Sequence, residues 1–260
     1  MKLSNKTAIV FGCNGLIAQE ICKKLSKEGY NLVITDLKKE QRDKVISEIK
    51  DAYVIDVDVR SEKNIKEAVQ TAIEKYGKVD LVVNCSRIAL FKEAVELTEH
   101  DWDAIVDFNT KSMYFIAKAV LKNMVENNSG VIIGVTSKAA NSGPANLSAY
   151  SASMNASIGF LRSLSCEVRN NNIRVNAICP GFIEHEELIL GAELTKNEPP
   201  DKGIYIQFSP LINVAHEPEA LANLIAFLAN EEGEFITGQA YSLWDDDLTY
   251  YRNLGQMAEF

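Results

Sequence analysis

The sequence predicts an α/β fold in which a parallel sheet is covered by helices on both faces. Short apolar runs typical of strands alternate with segments of helical period along almost all of the 260 residues. The strand-like runs are continuously apolar rather than alternating, as expected for strands buried on both faces. We expect a single domain over residues 1–260, because α/β folds of this size often form one domain and no linker or repeat interrupts the pattern.

Seven strands and six helices follow one another in this pattern. The strands are predicted at residues 6–12, 31–36, 52–59, 78–86, 130–137, 173–180 and 238–244. The helices are predicted at residues 16–30, 38–50, 61–77, 98–127, 149–169 and 217–230. Strands that alternate with helices in this order favour a doubly wound sheet with parallel strands.

Capping residues support several of these helix boundaries. Gly29 and Gly77 are natural helix stops. Ser61 is a preferred N-cap residue, and the pair Thr98 and Asp101 predicts a box-like cap.

Residues 182–210 form the one irregular stretch of the pattern and contain "KNEPPDKG". The stretch follows the carboxyl end of a predicted strand, where open α/β sheets bind ligands. It is therefore a candidate substrate loop or lid, and a mobile surface excursion is an equal alternative. The C-terminal tail, residues 245–260, is rich in aromatic residues that are expected to pack on a neighbouring subunit.

Composition excludes several classes of function. The formal net charge of −9 disfavours a nucleic-acid binder or docking on anionic lipid. No apolar run approaches the ~20 residues that a membrane span needs. The five cysteines include no CxxC pair and are typical of reduced thiols in a cytoplasmic protein. We expect no metal site, and a small molecule as substrate.

The turn after the first strand carries a candidate nucleotide site. Gly12, Gly15 and Ala18 form the pattern G-x-x-G-x-x-A between a strand and a helix. The first glycine allows the turn, the second lets the backbone approach a pyrophosphate, and the small third residue lets the helix pack on the strand. The pyrophosphate would lie at the helix N-terminus. Glycines in a tight turn without a ligand are the alternative.

Two aspartates extend this site. Asp36 ends the second strand, 24 residues after Gly12, where a carboxylate accepts hydrogen bonds from the adenosine ribose and repels a 2′-phosphate. This favours NAD(H) over NADP(H), although an aspartate after a strand is often only a helix cap. Asp58 is a candidate contact of the adenine edge.

Together with three further segments, these residues resemble the short-chain dehydrogenase/reductase family over nearly the whole chain. The segments are "VDLVVNCSRI" at 79–88, "IRVNAICPGF" at 173–182 and "FLANEEGEFITGQAYSLW" at 227–244. Asn109 matches the family's active-site asparagine, and Tyr150 follows Ser137 by 13 residues, the usual serine-to-tyrosine spacing. The resemblance implies one Rossmann-type domain with a seven-stranded, mainly parallel sheet.

The resemblance also implies a reaction, hydride transfer between a nicotinamide and a carbonyl or alcohol carbon. Tyr150 would be the acid/base, Ser137 would hold the substrate oxygen and Asn109 would anchor a water relay. Further cofactor contacts are implied at Leu16, Ile17, Val59, Asn84, Arg87, Pro180, Gly181 and Ile183. A homo-oligomer, a tetramer or a dimer, is implied, with the helices at 101–127 and 149–169 as its interface.

Three departures from the family pattern fall at the nicotinamide end. Met154 stands four residues after Tyr150, where the family has a lysine that binds ribose and lowers the tyrosine pKa. Arg87 ends "NCSR" where the family usually has "NNAG", and it either reaches the pocket or faces solvent. His185 follows "PGFIE" where threonine is common, and it either contacts the nicotinamide or is simply solvated. Lys138 and Lys111 are expected to face away from the site.

Two main functions remain open from the sequence, with non-redox chemistry in the same pocket as a third. The first is an atypical NAD(H)-dependent oxidoreductase that acts on a small carbonyl or alcohol. The second is a catalytically impaired homologue that binds a nucleotide or a partner subunit in a regulatory role. Tyr150 with Ser137 favours the first, and Met154 favours the second.

Overall fold

Seven parallel strands form the main sheet of the computed structural model, which describes residues 6–13, 15–35, 49, 51–181, 187–190, 204–207 and 218–243. The strands of this sheet are β1 (Thr7–Phe11), β2 (Asn31–Thr35), β3 (Tyr53–Ile55), β4 (Leu81–Asn84), β5 (Gly130–Val135), β6 (Ile173–Cys179) and β9 (Ala240–Ser242). Their spatial order is β3-β2-β1-β4-β5-β6-β9. The predicted Rossmann-type fold with a seven-stranded parallel sheet is confirmed.

The strands are buried because helices cover both faces. All residues of β1, β4 and β5 are buried, which explains why these segments read as continuous apolar runs. The helices are α1 (Leu16–Lys27), α2 (Glu62–Tyr76), α3 (Glu99–Val106), α4 (Ser112–Glu126), α5 (Ala139–Ser142), α6 (Ser148–Val168) and α7 (Pro218–Ala229). Residues of α2, α4 and α6 share one core cluster with the sheet, and residues of α1 and α7 share the other.

The strand register brings the carboxyl ends of three central strands to one edge. Phe11, the last residue of β1, pairs with Thr35 at the end of β2 and with Asn84 at the end of β4. The loops that follow β1 and β4 therefore leave the sheet side by side. This edge carries the candidate site.

The predicted caps are present. Gly29 and Gly77 follow α1 and α2 with φ of 88° and 86°. The Ser61 hydroxyl accepts from the N–H of Asn64. Thr98 and Asp101 form a reciprocal capping box at the start of α3.

The structure corrects two predicted segments, adds a π turn to a third and shows one further short helix. The helix predicted at 98–127 is continuous over residues 99–126, and a π turn at Asp107–Lys111 divides it into α3 and α4. The short helix α5 was not predicted. The strand at 52–59 is regular only over β3. Residues 182–210 are not irregular throughout, because β7 (Glu187–Leu190) and β8 (Ile204–Gln207) pair antiparallel. The two glycines and two prolines between these strands in the sequence obscure the pairing.

Three predicted segments lie outside the described residues: most of the helix at 38–50, the remainder of the candidate lid at 182–210, and the tail at 245–260. None of the helices in the described part of the chain is long and apolar enough to cross a membrane.

Candidate functional site

The turn between β1 and α1 has the geometry that its glycines predict. Gly12 has a φ of 76°, and its N–H donates to the carbonyl of Thr35 at 3.1 Å. A Cβ on Gly12 would lie 2.7 Å from both the backbone N and the Cα of Ser86. Only glycine fits this position, because it tolerates the positive φ and lets the loop after β4 pack against the turn.

The N-terminus of α1 is suited to an anionic ligand. Gly15 is its N-cap residue, no side chain caps it, and its first turn contains no acidic residue. Within the described part of the chain, no atom lies within 4 Å of the point that a Cβ on Gly15 would occupy, so these residues leave space beside the helix start. The helix leaves uncapped N–H groups and the positive end of its dipole at this opening, which fits the diphosphate of a dinucleotide. Leu16 is partly exposed, whereas Ile17 is buried in the core.

Ser86 adds a buried hydroxyl to this turn, and the sequence prediction missed it. The residue is only 7% exposed, and among the described residues its Oγ has no hydrogen-bond partner. Its Oγ lies 2.6 Å from the point that a Cβ on Gly12 would occupy. The signal that was available is the serine itself, since the family's usual "NNAG" has alanine at this position.

The carboxylate of Asp58 is bound by Arg60. Arg60 donates from Nε to Oδ1 and from Nη2 to Oδ2, both at 2.9 Å, and its backbone N–H also donates to Oδ1. Burial raises the pKa of Asp58, but the hydrogen bonds and charge of Arg60 outweigh it, so the pKa lies below its usual value. Asp58 is therefore an anion at neutral pH. Its contact with adenine stays a prediction, and the neighbouring Val59 is buried in the core.

Asn109 connects the loop after β4 to helix α6. Its Oδ1 accepts from the N–H of Ile88 at 2.8 Å, and its Nδ2 donates to the Ile88 carbonyl and to the Ser153 hydroxyl, both at 2.9 Å. The π turn at Asp107–Lys111 contains Asn109, and the hydroxyl of Ser157, which donates to the Ser153 carbonyl at 3.0 Å, lies 3.4 Å from the carbonyl of Asn109. Such single π turns are frequent at functional sites. The structure thus shows the Asn109 side chain as a clamp, whereas its role in a water relay stays a prediction.

Tyr150 and Met154 lie one turn apart on α6, and both are only 2% exposed. Both belong to the core cluster that includes Ala139, Ala140 and Leu147. The hydroxyl of Ser153, between them in sequence, donates to the Tyr150 carbonyl. Met154 therefore sits in apolar surroundings, where it packs without offering a charge or a donor.

Ser137 follows β5 at the same edge of the sheet. Its hydroxyl accepts from the N–H of Ala139 at 3.1 Å, and the residue is partly exposed. The N–H of Lys138 donates to the Pro180 carbonyl at 2.9 Å. This bond ties the end of β5 to the end of β6, and Gly181 beside it is partly exposed.

Three further residues near the site have polar partners. Arg87 is partly exposed, and its Nη1 donates to the carbonyl of Cys85 at 3.4 Å. Lys111 pairs with Asp107 at 3.1 Å on the surface of the π turn. Asn84 is buried, and its Oδ1 accepts from the N–H of Ser86 at 3.0 Å.

Asp36, Ile183 and His185 lie outside the described residues. In the part of the chain that is described, no group of three or more His, Cys, Asp or Glu side chains is placed to hold a metal ion.

Comparison with known proteins gives consistent matches over this architecture. The family model described as short chain dehydrogenase matches residues 6–189. A 3-oxoacyl-(acyl-carrier-protein) reductase FabG of Thermotoga maritima is 30% identical over 250 residues, which cover 94% of this chain and 98% of that protein. The FabG of Chlamydia muridarum is 31% identical over 247 residues, 93% of this chain and 96% of that protein. The FabG of Staphylococcus epidermidis is 29% identical over 240 residues, 90% and 96% respectively.

Proposed function

The chain belongs to the short-chain dehydrogenase family, an oxidoreductase family, and from this premise we propose that it uses NAD(H) to reduce a small carbonyl compound. The observation that carries the proposal is the start of α1. Among the residues that the structure describes, no side chain caps this helix N-terminus, its first turn has no acidic residue, and nothing lies within 4 Å of the point that a Cβ on Gly15 would occupy. These features suit a dinucleotide backbone.

Asp36 supports NAD(H) rather than NADP(H). It follows Thr35, whose carbonyl accepts from Gly12, and an acidic residue after this strand repels a 2′-phosphate. Calorimetric titration with NADH and NADPH tests this assignment. We expect tighter binding of NADH, and we expect the Asp36→Asn variant to lose most of the preference because the charge is removed. Equal or tighter binding of NADPH by the wild-type protein would contradict the assignment.

The proposed chemistry runs in the direction of reduction. When bound, the nicotinamide supplies the hydride. Tyr150 donates its phenolic proton to the carbonyl oxygen of the substrate, and Ser137 donates a hydrogen bond to the same oxygen. A phenol carries its proton without help from a neighbouring cation, so the role of acid does not require a lysine. The reverse reaction requires a phenolate and is poorly served by this site.

The relatives' activity indicates the type of carbonyl. Their name describes reduction of a 3-oxoacyl group, so a 3-oxoacyl thioester is the first substrate to test.

A second function is favoured by the surroundings of Met154. This side chain is buried among apolar residues and offers no donor to a nucleotide ribose. A homologue that binds a nucleotide without turning it over, in a regulatory or partner-subunit role, fits this observation. Binding of NADH without oxidation by any carbonyl in a broad panel would favour this second function.

We also propose a homo-oligomer, a tetramer or a dimer, that assembles through α3, α4 and α6. Trp102 and Tyr114 are 44% and 42% exposed on α3 and α4, and Tyr114 packs edge-on against Phe160 of α6 at 6.0 Å between ring centroids. Exposed aromatic residues of this kind are enriched at interfaces. Light scattering at micromolar concentration tests the proposal, and the mass of a monomer would contradict it.

A further inference from the structure

The short helix α5 lies between the two residues that the proposed reaction places at the substrate oxygen. Ser137 lies two residues before α5, and Tyr150 lies on α6, the helix that follows. The hydroxyl of Ser137 accepts from the N–H of Ala139, the first residue of α5, at 3.1 Å. This bond occupies an acceptor site of the hydroxyl and leaves its own proton to be donated. The position of α5 therefore controls the direction in which Ser137 can donate.

The carbonyl of Ala140, the second residue of α5, cannot receive the hydrogen bond that a regular helix would give it. That bond would come from the residue four positions on, which is Pro144 and has no N–H. The N–H of Gly143, the preceding residue, already donates to the Ala139 carbonyl at 3.1 Å. Because Ala140 is only 7% exposed, its carbonyl needs a partner from elsewhere in the protein.

Asn155 supplies that partner from α6. Its Nδ2 donates to the Ala140 carbonyl, and it lies five residues after Tyr150 on the same helix. Lys138, the residue before α5, is tied to the end of β6 by the bond from its N–H to the Pro180 carbonyl at 2.9 Å. Hydrogen bonds thus hold α5 both to the sheet and to the helix that carries the proposed acid.

We propose that Asn155 is a positioning residue for the reduction, because it holds α5 against α6. Its bond to α5 keeps the Ala139 N–H on the Ser137 hydroxyl, which then donates to the substrate oxygen that Tyr150 protonates. This inference rests on the proposed function, which brings a carbonyl oxygen to these two hydroxyls. A donor that is aimed at the reacting oxygen in advance stabilises the transition state without having to reorient. Asn155 acts through Ser137 rather than by contact with the substrate.

Asn127 provides a matched control for Asn155. Its Nδ2 also donates to a backbone carbonyl, that of Asn123 at 2.7 Å, but it is exposed at the end of α4. Asn155→Gln provides a second comparison, because glutamine keeps the amide donor and lengthens the side chain by a single methylene group.

The test measures hydride transfer from NADH to a 3-oxoacyl thioester in a single turnover, together with NADH affinity by calorimetry. Amide hydrogen exchange at Ala139 and urea unfolding are measured on the same proteins. For Asn155→Ala we expect about tenfold slower hydride transfer and faster exchange at Ala139, since a hydrogen bond to α5 is lost. NADH affinity should be unchanged. Asn155→Gln and Asn127→Ala should both transfer hydride at close to the wild-type rate.

A second background isolates the route through Ser137. In Ser137→Ala the hydroxyl that Asn155 positions is absent, so adding Asn155→Ala should slow hydride transfer by less than about twofold. If the double variant is instead slower than Ser137→Ala by about the same tenfold factor, Asn155 acts elsewhere and the inference is overturned.

Other results also contradict the inference. Equal rates for Asn155→Ala and wild type, or unchanged exchange at Ala139, show that the amide does not fix the Ser137 hydroxyl. A slow Asn155→Gln variant shows that the reaction does not depend on the amide donor. Weaker NADH binding by Asn155→Ala shows that the residue shapes the nucleotide site instead. Wild-type protein that transfers hydride to neither this nor any other carbonyl compound overturns the proposed function and this inference together, whereas the other results leave the proposed function intact.

Discussion

Replacement of Asn109 by alanine should destabilise the protein far more than the same change elsewhere on the helix. The amide of Asn109 makes three buried hydrogen bonds, two to the backbone of Ile88 and one to Ser153. Each is worth about 1 kcal/mol net, and loss of one partner also leaves the other group unsatisfied. We therefore expect Asn109→Ala to lower the free energy of unfolding by about 3 kcal/mol.

Asn123 on α4 provides the matched control. Its Oδ1 accepts one hydrogen bond, from the N–H of Val79 at 3.0 Å, in a partly buried position. Asn123→Ala should therefore cost about 1 kcal/mol at most, partly offset by the better helix propensity of alanine.

Urea unfolding of both variants, analysed by linear extrapolation, provides the comparison. Amide hydrogen exchange adds a local readout, because the Ile88 N–H loses its acceptor in Asn109→Ala and should exchange faster. If Asn109→Ala costs no more than Asn123→Ala, or if exchange at Ile88 is unchanged, the side chain of Asn109 does not clamp the loop after β4 to α6.

Three further predictions concern single substitutions. Met154→Lys should bind NADH about tenfold more tightly in calorimetry, because the lysine restores a charged donor. It should also shift the basic limb of the pH–rate profile for Tyr150 to lower pH. Slower turnover by Met154→Lys than by the wild type would instead mean that the methionine shapes a working pocket. Gly12→Ala should lower the free energy of unfolding by at least about 2 kcal/mol, because the new Cβ meets the backbone of Ser86 at a residue with positive φ. Gly15→Ala should weaken nucleotide binding without this loss of stability. Equal urea midpoints for the two variants would contradict this difference in stability. Asp101→Asn should cost about 1 kcal/mol at neutral pH, and the difference from wild type should vanish as pH falls. Burial raises the pKa of Asp101, but the hydrogen bonds from Lys92 and Thr98 outweigh burial, so the pKa in the folded protein lies below its usual value. The contribution of Asp101 to stability is therefore present above the unfolded pKa of about 3.9 and is lost as pH falls through the folded pKa. A stability difference between wild type and Asp101→Asn that persists in acid would refute this prediction.

The fold could be predicted well because most of its signals are local. The buried run of β1 and the stop at Gly77 are each readable from a few neighbouring residues. The π turn within the long helix could not be predicted in this way. The π turn around Asn109 accompanies hydrogen bonds to Ile88 and Ser153, which are 21 and 44 residues away in sequence. The apolar period of the segment gives no sign of such partners.

The candidate site also combines features that a short sequence pattern predicts with features that depend on residues distant in sequence. The glycine pattern predicts the turn at Gly12, but the close approach of Ser86 depends on β1 and β4 being neighbours in the sheet. The sequence alone gives no reason to single out Ser86, because the hydroxyl of a serine in a loop is ordinarily solvated. Asp58 is a candidate adenine contact from the sequence, and the structure adds a partner for it, because Arg60, two residues on, binds its carboxylate.

The central claim, that the chain is a working oxidoreductase with Tyr150 as its acid, is tested most directly by NADH oxidation with a 3-oxoacyl thioester. The rate is followed by the loss of NADH absorbance for the wild-type protein and for Tyr150→Phe, which removes the proton donor and keeps the ring in the core. We expect turnover by the wild type and at least ~100-fold slower turnover by the variant, since general acid catalysis contributes on the order of 10²–10⁴ in rate. Equal rates for the two proteins would contradict the role of Tyr150, and no NADH oxidation by the wild type with this or any other carbonyl compound would contradict the claim that the chain is an oxidoreductase.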